Sequence, residues 1–161
     1  MSAHRTLRVA AALLVGASLS GVAGPAPAAA QSLPRVVVLS TGGTIASVYD
    51  SVGGGFAPAL SGEQLVAAVP GLDTLAVVEV VQVANVPSTD MTPALWMEVS
   101  RRASEMLAHP DVTGVVVTHG TDTLEETAYF LDLTVGSQKP VVVVGAQRAA
   151  SERDADGPRN L

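Results

Sequence analysis

The chain has 161 residues, which is room for one domain at most, and 48% of them are hydrophobic while only 3% are aromatic. The formal net charge is −6 and no stretch is rich in Lys and Arg, which disfavours a nucleic-acid partner because phosphate binding requires clustered cations. The sequence contains no cysteine, which excludes disulfides, thiolate metal sites and lipid anchoring through an N-terminal cysteine.

Residues 1–30 have the pattern of a secretory signal peptide. Two arginines precede a small apolar run over residues 9–22, and alanines occupy the −3 and −1 positions before the Ala30–Gln31 junction. The alternative is a membrane anchor, but the run is short and rich in Ala and Gly for a spanning segment. We predict cleavage after Ala30 and export to the periplasm or the medium. Cleavage would remove two arginines and no acid, which changes the formal net charge from −6 to −8.

The remaining part of the chain, residues 31–161, alternates between strand and helix patterns. Strands are predicted at residues 35–39, 74–83, 112–118 and 141–144, and helices at residues 62–69, 93–108 and 123–133. The first and third strands carry apolar side chains on consecutive positions, which is typical of strands buried on both faces of a parallel sheet. The alternation predicts an α/β fold in which a parallel sheet is flanked by helices on both faces.

Residues 47–59 fall outside this alternation. They include Gly53-Gly54-Gly55, and three consecutive glycines do not hold one conformation unaided. We therefore predict a mobile loop between the first strand and the helix that Ser61 caps.

Polar residues follow the predicted strands at their carboxyl ends. Thr44 follows the first strand, Ser88 the second, and Thr121 and Asp122 the third. Because ligands of parallel sheets bind beyond the carboxyl ends of the strands, we expect these side chains to converge at one edge. A threonine beside glycines could attack an amide carbonyl, with Asp122 pairing to an ammonium group and Ser88 donating to a carboxylate. The alternative is that these residues are ordinary turn and cap residues.

Two segments resemble the signature motifs of the bacterial asparaginase/glutaminase family. They are TGGTIA at residues 41–46 and THGTDTLEET at residues 118–127, and residues 145–148 and 155–158 resemble the next landmarks. The resemblance covers about residues 35–161, in order and with family-like spacing. It implies the exported, type II form of the enzyme. It also implies that residues 31–161 are a truncated, Rossmann-like N-terminal domain without the family's C-terminal domain.

The resemblance implies a role for each candidate site residue. Thr44 would be the nucleophile that forms an acyl-enzyme on the side-chain carbonyl of L-asparagine, or also of L-glutamine, and releases ammonia. Thr121 would help to activate the attacking group, Asp122 would bind the α-ammonium group and Ser88 the α-carboxylate. His119 would lie behind the site without a part in proton transfer. No metal or organic cofactor is implied, nor a nucleic-acid or membrane partner after cleavage, and the parent enzyme would be a homotetramer.

The chain departs from the family pattern in the region that binds substrate. Phe56 stands near the position where the family often has a loop tyrosine that helps to activate the nucleophile, and Phe has no hydroxyl group. Tyr49 is the only tyrosine in the predicted loop, and whether it replaces the missing one is open. Thr89 stands where the exported enzymes often have a glutamine, which removes one amide contact and leaves the asparagine-versus-glutamine preference open.

The family's catalytic lysine would lie beyond residues 156–158, whereas the only lysine of this sequence is Lys139. Lys139 precedes the last predicted strand, at the edge of the sheet opposite the candidate site. We therefore expect this chain to be an inactive fragment of a larger amidohydrolase. Two alternatives are a non-catalytic, exported amino-acid-binding module and the archaeal tRNA-dependent amidotransferase subunit. The signal-like N-terminus and the acidic composition argue against the latter, which needs a tRNA partner.

Overall fold

The computed structural model describes residues 32–161, so the predicted signal peptide lies outside the described residues. The strands are β1 (Arg35–Gly42), β2 (Ser47–Asp50), β3 (Gly55–Pro58), β4 (Val77–Val86), β5 (Val112–Thr118) and β6 (Val141–Val144). The helices are α1 (Gly62–Ala67), α2 (Pro93–Ala108), α3 (Leu124–Thr134) and α4 (Gly157–Asn160). Among the described residues, no helix has the length and apolar character needed to cross a bilayer.

Four strands form a parallel sheet in the order β4-β1-β5-β6, as the α/β prediction requires. The register places Val38 of β1 between Val80 of β4 and Val116 of β5, and Val116 in turn pairs with Val142 of β6. The two central strands, β1 and β5, are the most buried, because both of their faces are covered.

Helices cover both faces of the sheet. α2 packs on β5 and α3 on β6, and their core with the sheet includes Leu39, Val99 and Val115, which are at most 1% exposed. α1 lies across β1 and β4 on the other face, beside a smaller cluster that contains Ile45 and Leu65. Each fully buried aliphatic side chain of this kind contributes about 1.5–3 kcal/mol to the folded state.

The helix starts follow the predicted caps. The Ser61 hydroxyl accepts a hydrogen bond from the backbone N–H of Gln64 at 3.3 Å, and the Gln64 side chain accepts from the Ser61 N–H at 2.8 Å, which is a reciprocal capping box. Thr92 caps α2 through the N–H of Leu95, and Pro93 occupies the first helical position.

The prediction of a loop over residues 47–59 was wrong. β2 and β3 form an antiparallel hairpin in which Tyr49 pairs with Phe56. Gly54 has a φ of +74°, and its N–H donates to the carbonyl of Asp50 at 2.9 Å. One glycine therefore supplies the left-handed conformation that the tight turn needs, and the strands on either side hold the segment in place.

The strand predicted at residues 74–83 is β4, which begins and ends three residues later, at Val77 and Val86. Leu72–Thr74 form a short 3₁₀ turn, in which the Thr74 hydroxyl donates to the Gly71 carbonyl at 2.6 Å. β4 then continues to Val86, because β1 also extends past the prediction and pairs with it as far as Gly42.

Candidate active site

The ends of β1 and β5 are in contact at two glycines, Gly43 and Gly120. Gly42 and Gly43 have φ values of +102° and +78°, and the Gly43 N–H donates to the Val86 carbonyl at 2.9 Å. A Cβ atom on Gly43 would overlap the backbone of Gly120, and a Cβ on Gly120 would lie 2.5 Å from the Ser88 hydroxyl oxygen. Because Gly43 and Gly120 have no side chains, the ends of β1, β4 and β5 can meet, and Thr44 lies at the edge of the sheet where they meet.

Ser88 and Asp122 form a hydrogen-bonded pair at this edge of the sheet. The Ser88 hydroxyl donates to the Asp122 carboxylate at 2.9 Å and accepts from the Asp122 backbone N–H at 3.1 Å. The Thr123 hydroxyl donates to the Ser88 carbonyl at 2.8 Å, which ties the loop after β4 to the loop after β5. Ser88 is only 3% exposed, and these bonds hold its hydroxyl oxygen beside the exposed side chain of Asp122.

A cavity of about 310 Å³ lies over these strand ends, and Thr44, Ser88 and Asp122 line it. The remaining lining residues are Gly43, Ser47, Phe56, Pro58, Pro87, Gln147, Ala149 and Glu152. Thr121 does not line this cavity, although it directly precedes Asp122, and a Cβ on Gly145 would contact its methyl group at 3.4 Å. Three of the four predicted site residues are thus brought together, and the role of each, catalytic for Thr44 and substrate-binding for Ser88 and Asp122, remains a prediction.

The loop after β6 closes one side of the cavity. The Asp156 carboxylate accepts hydrogen bonds from the N–H groups of Gln147 and Arg148 at 3.0 and 2.9 Å. These backbone donors lower the pKa of Asp156 to about 2. Residues 145–148 resemble a family landmark, but their sequence pattern does not predict that Gln147 and Glu152 line the cavity. The position of Gln147 depends on the bond to Asp156, and that of Glu152 on the bond to the Ala149 N–H.

The hairpin presents Phe56 to the cavity, whereas Tyr49 is not among the lining residues. The two rings lie edge to face with their centroids 5.5 Å apart, and both side chains are more than half exposed. The ring that lines the cavity therefore carries no hydroxyl group, and the ring that carries one does not line the cavity.

His119 is fully buried behind the site and all of its polar atoms have partners. Its Nδ1 donates to the Gly120 carbonyl at 2.8 Å, and its Nε2 accepts from the Thr127 hydroxyl at 2.8 Å. The Trp96 indole N–H donates to the same hydroxyl at 2.7 Å. Burial lowers the pKa of His119, so its imidazole is neutral near pH 7. His119 does not line the cavity, and its contacts are those of a residue that orders the interior.

Lys139 lies at the amino end of β6, away from the cavity. Its Nζ donates to the carbonyl of His109, which follows the C-terminal residue of α2, at 2.5 Å. A second cavity of about 280 Å³ lies between α3 and β6 beside Lys139, and none of the predicted site residues lines it. Lys139 therefore supplies no cation to the cavity that contains Thr44.

Comparison with known proteins shows a family match over the whole sheet. The family model described as "Asparaginase, N-terminal" matches residues 35–161. The chain is 46% identical over 134 residues to L-asparaginase 2 of Bacillus subtilis, covering 81% of the chain and 36% of that protein. It is 47% identical over 135 residues to L-asparaginase 2 of Escherichia coli, covering 83% and 38%.

Two further relatives are named for different cellular locations. A probable periplasmic L-asparaginase of Haemophilus influenzae is 46% identical over 134 residues, with 82% of the chain and 38% of that protein covered. The crystal structure of a probable cytoplasmic L-asparaginase from Campylobacter jejuni superposes with a TM-score of 0.70 at 42% identity, covering 79% of this chain and 37% of that chain. The chain thus spans little more than a third of the length of the curated relatives it matches.

Proposed function

The chain belongs to the asparaginase family, and we propose that it is the part of an exported L-asparaginase that binds the amino-acid substrate and carries its nucleophile. The observation that supports this most directly is the single cavity lined by Thr44, Ser88 and Asp122. A hydroxyl nucleophile, a hydroxyl donor and a carboxylate together match a small zwitterion with an amide side chain.

The proposed reaction is the hydrolysis of L-asparagine to L-aspartate and ammonia, with L-glutamine as the second substrate to be tested. The Thr44 hydroxyl oxygen attacks the side-chain carbonyl, the C–N bond breaks, and the threonine proton leaves with the amide nitrogen as ammonia. Water then cleaves the resulting ester and returns the proton to Thr44. Thr121 takes part in activating the attacking group, from its position directly before Asp122.

Substrate binding uses the Ser88–Asp122 pair. In the free protein the Ser88 hydroxyl donates to the Asp122 carboxylate. An incoming α-ammonium group would occupy the carboxylate, and the Ser88 hydroxyl would then turn to donate to the α-carboxylate. The backbone N–H of Asp122, which already donates to the Ser88 oxygen at 3.1 Å, holds that oxygen in place while the hydroxyl proton turns.

Activation of Thr44 needs a group that this cavity does not supply. No lysine lines it, and Lys139 donates to the His109 carbonyl at the other end of the sheet. We therefore propose that the chain by itself binds the amino acid and hydrolyses it slowly or not at all. The second candidate function, an amino-acid-binding module without catalysis, is favoured by the same observation.

Three proposals concern the whole protein. Residues 1–30 act as a signal peptide, residues 31–161 form the N-terminal domain, and the complete enzyme is an exported homotetramer. The name of the Haemophilus relative supports a periplasmic location, and the name of the Campylobacter structure makes a test necessary. Cell fractionation with N-terminal sequencing of the mature product tests the first proposal, and light scattering tests the last.

The activity is tested by ammonia release from L-asparagine and L-glutamine. This chain is compared with the longest natural translation product that contains it, and Thr44→Ala is made in both. We expect the longer product alone to release ammonia, and we expect Thr44→Ala to abolish that release. If neither protein releases ammonia although both bind the amino acid in a calorimeter, the binding-module function replaces the enzymatic one.

A further inference from the structure

The cavity contains a second carboxylate besides Asp122. Glu152 lines its wall, and no Lys, Arg or His side chain of residues 32–161 lines it. The nearby Arg148 has its Nε 3.4 Å from the Asp154 carboxylate, so its charge is paired outside the lining. A ligand therefore meets two negative charges and no positive one.

Glu152 is tied to the Thr44 side of the cavity. Its carboxylate accepts from the Ala149 N–H at 2.7 Å, which closes a tight turn. The next residue, Ala150, donates its N–H to the Ser47 carbonyl at 2.8 Å, and the Ser47 hydroxyl donates to the Gly43 carbonyl at 2.9 Å. These hydrogen bonds hold the turn beside Gly43, the residue before Thr44. Asp122, in contrast, is hydrogen-bonded to Ser88.

Only one oxygen of the Glu152 carboxylate is used by the turn. Its Oε2 accepts from Ala149, and the other oxygen has no hydrogen bond within residues 32–161. An ionised carboxylate accepts hydrogen bonds and cannot donate them. A side-chain amide can donate its N–H to such an oxygen, but a side-chain carboxylate cannot, and its charge is repelled.

We propose that Glu152 is a specificity-determining residue, whose free carboxylate oxygen favours ligands ending in a neutral amide and disfavours ligands ending in a carboxylate. This assignment rests on the proposed function, because it takes the reacting end of the ligand to lie near Thr44. In that reaction the substrate ends in an amide and the product in a carboxylate. Glu152 would therefore help the product to leave.

The substitution Glu152→Gln distinguishes the negative charge of Glu152 from its hydrogen bond to the Ala149 N–H. A glutamine amide oxygen can still accept the Ala149 N–H, so the turn is kept while the negative charge is removed. Glu152→Ala removes both the charge and the turn acceptor. Thr44→Ala serves as the common background, so that neither ligand is consumed during a calorimetric measurement.

The affinities of L-asparagine and L-aspartate are measured for the Thr44→Ala chain with and without Glu152→Gln, at neutral pH and low salt. We expect Glu152→Gln to strengthen L-aspartate binding about two- to fivefold, as for one exposed charge pair, and to leave L-asparagine binding unchanged or weakened. Raising the salt concentration should reduce the amide preference of the chain that keeps Glu152, because exposed charges are screened.

Other outcomes overturn the assignment. Equal weakening of both ligands by Glu152→Gln would make Glu152 a partner of the α-ammonium group. No change with Glu152→Gln, together with loss of both ligands and a lower melting temperature in Glu152→Ala, would make it only a turn residue. Failure of the Thr44→Ala chain to bind either amino acid would overturn the proposed function itself, and the assignment with it.

Discussion

Gly43 and Gly120 are in backbone contact where β1 and β5 end, and a Cβ atom on Gly43 would overlap the Cα of Gly120. Gly120 in turn lies against the Ser88 side chain. The three loops that carry Thr44, Ser88 and Asp122 therefore share one contact point. Any added atom there must separate the side chains that line the cavity.

Gly43→Ala tests this contact. The alanine would combine an unfavourable φ of +78° with a clash against backbone, and overpacking of this kind costs about 1–3 kcal/mol of unfolding free energy. We also expect it to abolish L-aspartate binding. Gly55→Ala is the matched control, because a Cβ there has no neighbour within 4 Å and the residue has no positive φ. Denaturant titration and calorimetry measure both effects, and equal losses in the two variants would contradict the explanation.

Asp122→Asn should weaken L-aspartate binding by about tenfold or more, since a hydrogen bond to a charged group contributes about 1.5–3 kcal/mol. Ser88→Ala should also weaken binding, because it removes a donor and leaves the Asp122 N–H without its partner. The double variant should lose less than the sum of the two single losses, because the side chains are in contact. Additive losses in calorimetry would mean that the two residues do not act as a pair.

Phe56→Tyr should increase asparagine hydrolysis by the longest natural product that contains this chain. The new hydroxyl would be on a ring that lines the same cavity as Thr44, and a positioned proton-transfer group contributes a factor of about 10² or more. Tyr49→Phe should leave the rate unchanged, because Tyr49 does not line the cavity. Steady-state kinetics would refute this if Tyr49→Phe alone stopped the reaction.

Asp156 should make the protein sensitive to acid. Its pKa is lowered from 3.8 to about 2, so the unfolded chain binds more protons as the pH falls. The stabilisation by Asp156 is therefore complete above about pH 4 and is lost as the pH falls towards 2. Melting temperatures between pH 6 and pH 2 should show a difference from Asp156→Asn that shrinks with acid. A difference that does not depend on pH would mean that the carboxylate charge is unimportant.

Thr127→Val should destabilise the protein by about 1–3 kcal/mol, since it leaves the buried His119 Nε2 and the half-buried Trp96 N–H without their partner. Thr127→Ser keeps the hydroxyl and should retain most of the stability. Trp96 is the only tryptophan in the sequence, so its fluorescence reports unfolding directly. If Thr127→Val and Thr127→Ser were equally stable, the hydroxyl bridge would contribute nothing.

Local patterns in the sequence were sufficient for α1, α2 and α3 and for most of the sheet. α2 begins and ends within a residue of the prediction, because Thr92 and Pro93 define its start. β5 and β6 match their predicted ranges, since both contain runs of valine, a β-branched residue that favours strands. Thr44, Ser88 and Asp122 could be predicted to lie together because the carboxyl ends of parallel strands share one edge.

The sequence alone determined three features, because each depends on residues that are neighbours along the chain. They are the family signature, the parallel α/β class and the edge of the sheet that carries the site. Only the tertiary structure decided that residues 47–59 form a hairpin, that Phe56 rather than Tyr49 faces the cavity, and that Glu152 lies in its wall. The placement of the hairpin and of Glu152 at the cavity depends on contacts between distant segments, such as the hydrogen bond from the Ala150 N–H to the Ser47 carbonyl. No local periodicity encodes such bonds, since they form only after the sheet has brought the segments together.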